Sequence, residues 1–283
     1  MENIIITDPK KLDLQISHII QDGSSNLWFI SDFDRTITKA VVKGKSRSSL
    51  LSILRDEKYL TSDYPAKAQT LFDFYHAIEI DPKVDMESKK KSMLERWTKH
   101  FKLLIDSWLK KEDIQKAMKS DNIEFREWSL WLFDLLNEYN IPLVILSASW
   151  LGYDGIYRYL KNFNKLYKNI HIVSNTFHRD RDGNAVDIQK PIIHSFNKDA
   201  QILFNLPFYK DIKNKKNIIL LWDTIGDTHM IDWFEYKNLI KIWFLNDTMD
   251  QNLEEFKKNY DIIITGDWTL NYVNKLIKKI ISK

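Results

Sequence analysis

Asp32, Asp34 and Thr36 follow one another at alternate positions directly after the apolar run Leu27-Trp28-Phe29-Ile30. Two carboxylates so placed can serve as nucleophile, metal ligand and proton shuttle, provided that they converge. In an extended chain they point to one face about 7 Å apart, so convergence requires the backbone to curl after Asp32. The curl would gather the Asp32 carboxylate, the Asp34 carbonyl and the Asp34 carboxyl. D-x-D-x-T is a short pattern, and it also describes an acidic turn at the surface.

Two further groups follow apolar runs in the same way, and a third stands at an expected helix start. Ser147-Ala148-Ser149 follows Pro142-Leu143-Val144-Ile145-Leu146 and offers hydroxyls and backbone N–H groups to an anion, or an ordinary serine cap to the next helix. Lys198, in Ser195-Phe196-Asn197-Lys198, falls in the first turn of an expected helix. A cation there opposes the helix dipole and asks for a nearby anion, unless it is simply exposed. Asp223 and Asp227 follow Asn217-Ile218-Ile219-Leu220-Leu221 and can lie on one side of a bound cation, with Gly226 relaxing the backbone between them.

The elements that must hold these groups alternate. Short apolar runs at 27–31, 142–146, 170–173, 217–221, 239–244 and 260–264 read as strands buried on both faces, which is the pattern of a parallel sheet. Residues 12–20, 124–139 and 270–281 read as helices, and 175–188, around Arg181-Asp182-Gly183-Asn184, as a hairpin. Residues 48–121 show no strand, only helical patterns at 50–54, 65–77 and 86–109. In the last of these Met93, Trp97, Phe101, Leu104 and Trp108 form one apolar stripe, and Lys89, Lys90, Lys91, Arg96, Lys99 and Lys102 read as its solvated face. Glu79 stands between two isoleucines in an expected turn before Asp81-Pro82, with no packing purpose, and so can face a cavity. Asp180-x-Asp182 fails as a calcium loop because Pro191 occupies the twelfth position, where a bidentate Glu is required. His171 and His178 lack metal-ligand spacing.

With 44% hydrophobic residues, the chain can bury a sizeable core. Its 42 basic and 39 acidic residues nearly cancel, which leaves no electrostatic footprint for nucleic acid. Without cysteine it has no disulfide, thiolate metal site or cysteine nucleophile. The run Ile4-Ile5-Ile6 is too short for a signal or membrane segment, so the expectation is a cytoplasmic protein, a monomer or weak dimer.

The four groups, in this order, resemble the motifs of the haloacid dehalogenase (HAD) superfamily of phosphotransferases. The chain further resembles the eukaryotic cytosolic (type III) pyrimidine 5′-nucleotidase family from Leu27 onward. The resemblance is carried by Ser31-Asp32-Phe33-Asp34-x-Thr36-x-Thr38, Lys43-Gly44-Lys45, Tyr75-x-Ala77-Ile78-Glu79-Ile80-Asp81-Pro82, Phe196-Asn197-Lys198, Asn217-Ile218-Ile219-Leu220-Leu221-x-Asp223, Leu245-Asn246-Asp247 and Tyr260-Asp261-Ile262. It implies an α/β fold, a doubly wound and mostly parallel HAD-like core at 1–45 and 122–283, with an inserted helical C1 cap at 46–121 that sets substrate selectivity. It also implies Mg²⁺-dependent hydrolysis of pyrimidine nucleoside 5′-monophosphates through an aspartyl-phosphate.

In that family pattern Asp32 is the nucleophile and Asp34 the general acid and base. Thr36, Ser147, Ala148 and Lys198 hold the phosphate, and Asp32, Asp34 and Asp223 hold the metal with Asp227 behind them. Glu79 meets the base, and apart from the family pattern the helix at 86–109 can carry Trp97 or His100 to the same pocket, core packing being the other fate of Trp97. The chain departs from the pattern at Ser149 and Trp222, where the family has Gly, at Trp150, at Trp233 and Trp243, where small residues are expected, and at His100 and Phe101, where it has Ser and His. The alternatives are a phosphatase for another small monoester, since only the cap fixes the leaving group, and, because of the tryptophans, a silent member acting as a binding protein.

Overall fold

The computed structural model describes residues 3–46, 49–198, 200–224, 230–232, 234–246 and 257–282. In chain order these form β1 (Ile4–Ile6), α1 (Pro9–Asp22), β2 (Leu27–Ser31), β3 (Val41–Val42), β4 (Lys45–Ser46), α2 (Leu51–Asp56), α3 (Tyr64–Ile80), α4 (Met86–Asp106) and α5 (Lys111–Ala117). There follow α6 (Ser129–Glu138), β5 (Leu143–Ser147), α7 (Gly152–Asn162), β6 (Ile170–Ser174), β7 (Phe177–Arg179), β8 (Ala185–Ile188), α8 (Tyr209–Ile212), β9 (Asn217–Trp222), β10 (Asn238–Leu245), β11 (Ile262–Thr265) and α9 (Asn271–Ile281). Among the described residues no helix is long and apolar enough to cross a membrane.

Seven strands pair in the order β1-β11-β10-β9-β2-β5-β6, all parallel except β1, which runs antiparallel to β11. Every residue of β2, β5 and β9 is buried, as strands covered on both faces require. Alternate side chains feed two apolar layers. Phe29, Ile145, Ile219 and Leu221 face the layer that holds buried residues of α1, α6, α7 and α9, whereas Trp28, Ile30, Val144 and Leu220 face Leu203, Ile212 and Met230. Connections leave β2 for neighbours on opposite sides, β5 and β9, and this reversal opens a crevice at the carboxyl ends of the three strands.

Several elements differ from the sequence reading. Ile4–Ile6 is a strand, and the loop after Thr38 carries a two-residue hairpin, β3-β4. The helix expected at 124–139 begins only at Ser129. Lys39 N–H donates to Glu124 O and Arg126 N–H to Ile37 O, so tertiary backbone pairing holds 124–126 extended against a helical sequence pattern. Trp128 then enters the helix at a left-handed φ of 71°. No helix starts at Ser195: Asn197 accepts from His194 N–H through its side chain and donates to Ile192 O, replacing the helical bonds of that turn. Glu79 lies in the last turn of α3 rather than in a loop, because only Asp81, directly before Pro82, turns extended. Arg96 is 7% exposed and buried, not on a solvated face.

Candidate active site

The curl after β2 is built on one carbonyl. The N–H groups of Thr36, Ile37 and Thr38 all point to Phe33 O, at 3.4, 3.0 and 3.1 Å, and Arg35 between them takes a φ of 61°. Asp32 emerges from this loop buried, and Lys198 Nζ donates to its Oδ1 at 2.8 Å. The anion that the lysine's placement asked for is thus Asp32. Leu50 N–H, at the start of the helical segment, donates to Asp34 Oδ1 at 3.0 Å. Burial and the charge of Asp32 push the Asp34 carboxyl up to about 7, while the Leu50 N–H, Lys198 and the nearby Ser149 hydroxyl pull the other way.

Two hydroxyls complete this edge. Thr36 Oγ1 and Ser149 Oγ are buried and make no well-formed hydrogen bond among the described residues, an arrangement that costs free energy unless a ligand satisfies them. Ser149 N–H donates to Ser147 Oγ at 3.2 Å, which curls the end of β5 back on itself. Gly152 opens α7 at a φ of 58°, where a Cβ would stand 2.0 Å from Asn175 O, so only glycine lets this loop pack on the end of β6.

Asp223 lies at the end of β9. Arg35 Nε donates to its Oδ2 at 3.1 Å, and Asn246 Nδ2 lies 3.5 Å from the same oxygen. Trp243, where a small residue was expected, donates from Nε1 to Asp223 O at 2.9 Å, and Trp222 points into the other layer against Tyr260. Neither indole crowds the carboxylate. Asp227 and Trp233 lie outside the described residues.

Sequence reasoning passed over the residue that ties these loops together. Arg126, read as part of a helix, is 1% exposed, and its guanidinium donates to Thr36 O at 2.8 Å, Arg35 O at 2.5 Å, Trp268 O at 2.7 Å and Asn246 Oδ1 at 2.9 Å. It also pairs with Asp267 at 3.0 Å and lies over the Phe244 ring. Asp267 in turn accepts from the N–H groups of Ala40 and Val41. Both ends of the loop that carries Arg35 are therefore pinned by one buried ion pair.

Above the crevice, helices α3 and α4 bring a second group of side chains to the β5 end. Glu79 accepts from Arg96 Nη1 at 2.8 Å and from Ser195 Oγ at 2.7 Å, and His76 Nδ1 lies 3.4 Å away. Burial works against the Glu79 anion, but His76, Arg96 and Ser195 together hold its carboxyl below the usual range. Trp97 donates from Nε1 to Ala148 O at 3.0 Å and stacks on Trp150 with ring centroids 4.1 Å apart. His100 sits deeper: its Nε2 lies 3.1 Å from Tyr64 Oη, it packs on Trp150, and burial drives it down to about 3, so it is neutral.

Of the expected site residues, Asp32, Asp34 and Lys198 converge, Thr36, Ser147, Ala148 and Asp223 line the same strand ends, Glu79 and His100 lie on the helical segment, and Asp227 is not described.

This sheet, with an acidic loop after its β2 strand and an inserted helical segment, is that of a HAD-fold hydrolase. A phosphoserine phosphatase in its phospho-aspartyl intermediate analogue shares the fold at 17% identity, with a TM-score of 0.53 over 88% of this chain and 97% of that one. The family model "Pyrimidine 5′-nucleotidase (UMPH-1)" matches residues 35–281, and the chain belongs to that family and is a phosphoric monoester hydrolase. The 7-methylguanosine phosphate-specific 5′-nucleotidase of Rattus norvegicus is 33% identical over 279 residues, covering 98% of this chain and 92% of the relative. Form A of that enzyme from Xenopus laevis is 31% identical over 283 residues, covering 100% and 97%. The crystal structure of cytosolic 5′-nucleotidase IIIB bound to cytidine superposes with a TM-score of 0.84 at 26% identity, covering 100% of this chain and 94% of that chain.

Proposed function

We propose that the chain is a Mg²⁺-dependent 5′-nucleotidase that hydrolyses nucleoside 5′-monophosphates, pyrimidine nucleotides foremost, to nucleoside and phosphate. The observation that carries this reading is the buried Lys198–Asp32 pair beside an Asp34 carboxyl raised to about 7. In this reading Asp32 attacks phosphorus and forms an aspartyl-phosphate. Lys198, Thr36, Ser147 and the backbone at Ala148 hold the equatorial oxygens, and the two orphaned hydroxyls support such an anion site. Asp34, protonated near neutrality, gives its proton to the leaving ribose oxygen and then takes one from the water that hydrolyses the aspartyl-phosphate.

The carboxylates of Asp32 and Asp223 and the Asp34 carbonyl are hard oxygen donors, which fit Mg²⁺, with Asp227 as their outer support. Bound there, Mg²⁺ would offset repulsion between the phosphate dianion and Asp32. Residues 46–121 act as a cap over the core at 1–45 and 122–283, and Glu79 accepts from the base while His100 backs Trp150. The enzyme works in the cytoplasm, which a relative named cytosolic supports, and it acts as a monomer or weak dimer. A second base to test is 7-methylguanine, named for the rat and Xenopus relatives.

The test is Mg²⁺-dependent phosphate release from cytidine, uridine, adenosine, guanosine and 7-methylguanosine 5′-monophosphates and from a non-nucleotide phosphate. Nucleotides should be the better substrates, and Asp32→Asn should fold yet release no phosphate in a single turnover. Release by Asp32→Asn comparable to the parent refutes the reading.

A further inference from the structure

We infer that Arg96 is a specificity-determining residue: paired with Glu79, it makes the base end of the site electrically neutral and turns it toward neutral bases and away from a cationic, N7-methylated one. This rests on the nucleotidase reading above and concerns which base the site accepts.

Glu79 alone would be a buried anion suited to a cationic base. In this chain its Oε2 already accepts from Arg96 Nη1 at 2.8 Å, between side chains that are 22% and 8% exposed. At such burial the two charges are little screened, so Arg96 repels a ring cation about as strongly as Glu79 attracts it. The aromatic faces tell the same story independently. The guanidinium carbon lies 5.3 Å from the ring centroids of Phe72 and Trp97 and 5.8 Å from that of Trp150. A cation thus already occupies the faces on which a methylated purine cation would gain most. A neutral base loses none of this, since an arginine–carboxylate pair presents donors and an acceptor side by side to a base edge with both kinds of group.

The rest of the surroundings do not restore a negative field. Ser195 and His76 both add donors to Glu79, and His194 is held neutral by burial, down to about 4. Arg96 therefore sets the charge balance of this end.

The experiment compares kcat/KM for 7-methylguanosine and cytidine 5′-monophosphates in the parent, Arg96→Met and Arg96→Lys, with a small non-nucleotide phosphate as reference. The parent should prefer the cytidine nucleotide. Arg96→Met, which keeps length and contact with the rings, should raise the ratio of methylated to cytidine substrate about tenfold, each rate being scaled to that variant's own rate on the reference. Arg96→Lys should stay near the parental ratio. Arg96→Gln, which keeps a donor to Glu79 and removes only the charge, gives the same reading should the Met variant fail to fold. A parent that prefers the methylated nucleotide, or a ratio that does not move in the folded neutral variants, overturns the role of Arg96 alone. A parent that turns over the reference phosphate but no nucleotide overturns the nucleotidase reading and this one with it.

Discussion

Replacing Asp34 by Asn should make the metal-free protein more resistant to unfolding at alkaline pH, although it removes the proposed general acid and base. Burial and the neighbouring Asp32 raise the Asp34 carboxyl from 3.8 to about 7. A carboxyl raised in this way binds its proton more tightly in the folded state, so its contribution to stability is fully present below the unfolded value of 3.8 and is lost as pH rises through about 7. Three units at about 1.36 kcal/mol each give an upper bound of about 4 kcal/mol, and the partial solvent access of Asp34 reduces this to roughly 2–4 kcal/mol. Asn keeps an acceptor for Leu50 N–H at nearly the same place. For a chain of this size, 1 kcal/mol moves Tm by about 2–4 °C, so Asp34→Asn should exceed the parent by roughly 5–10 °C at pH 8.5 in EDTA. The gap should shrink steadily toward pH 5. Urea unfolding at matched pH values measures the same difference, and added Mg²⁺ should narrow it by stabilising the parent's carboxylates. A gap that is flat from pH 5 to 8.5, or one that reverses, refutes the argument that Asp34 is strained when charged.

Three further outcomes follow from the packing. Arg126→Met takes the guanidinium donors away from the carbonyls of Arg35, Thr36 and Trp268 and leaves Asp267 without its cation, and should cost about 3–5 kcal/mol in urea unfolding; a loss under about 1 kcal/mol would show that the buried cation is dispensable. Gly152→Ala forces a Cβ to within 2.0 Å of Asn175 O, and should lower stability by about 3 kcal/mol or more together with kcat, since the Ser147–Ser149 loop must move; a variant with parental Tm contradicts this. Trp128 holds a left-handed φ of 71° with its side chain half exposed, so Trp128→Gly should be more stable than Trp128→Ala by about 1 kcal/mol, and equal stability would mean that the backbone there relaxes at no cost.

Strands β2, β5 and β9 were legible because each is a short apolar run that ends abruptly in small polar or acidic residues, and that boundary is what a buried parallel strand with its chemistry at one edge must look like. Asp32, Asp34, Ser147 and Asp223 were singled out by the same boundary, whereas Lys198 was singled out by an expected helix that does not form there. The arginines were not. Arg35 is one variable position inside a motif, Arg96 sits among lysines at solvated spacing, and Arg126 sits in a stretch with helical periodicity; each takes its meaning from a partner that is distant in sequence, namely Asp223, Glu79 and Asp267. Local periodicity cannot see those partners. The late start of α6 and the missing helix at Ser195 have one cause, hydrogen bonds from distant backbone or from the Asn197 side chain that outbid a local preference. Trp150 and Trp97 were visible as bulky residues, but their stacking joins two elements more than 50 residues apart, as the 51-residue span of the Trp97–Ala148 bond indicates.

The single antiparallel edge of the sheet carries a consequence for biosynthesis. Strand β1 pairs with β11 alone, and its flanks are fastened there too: Thr7 Oγ1 donates to Tyr260 O across 253 positions, and Lys11 pairs with Asp261. At about 5–20 residues per second a ribosome releases residues 4–6 roughly 13–50 s before their partner exists, so this strand stays an unpaired apolar segment until β11 has been made. Helix α1, which packs on β10 and α9, waits with it. Nascent chains halted before residue 262 should therefore leave β1 open to chaperones and to proteases, whatever the state of the β2–β5–β6 side, and the sheet should lock only when the last strand emerges.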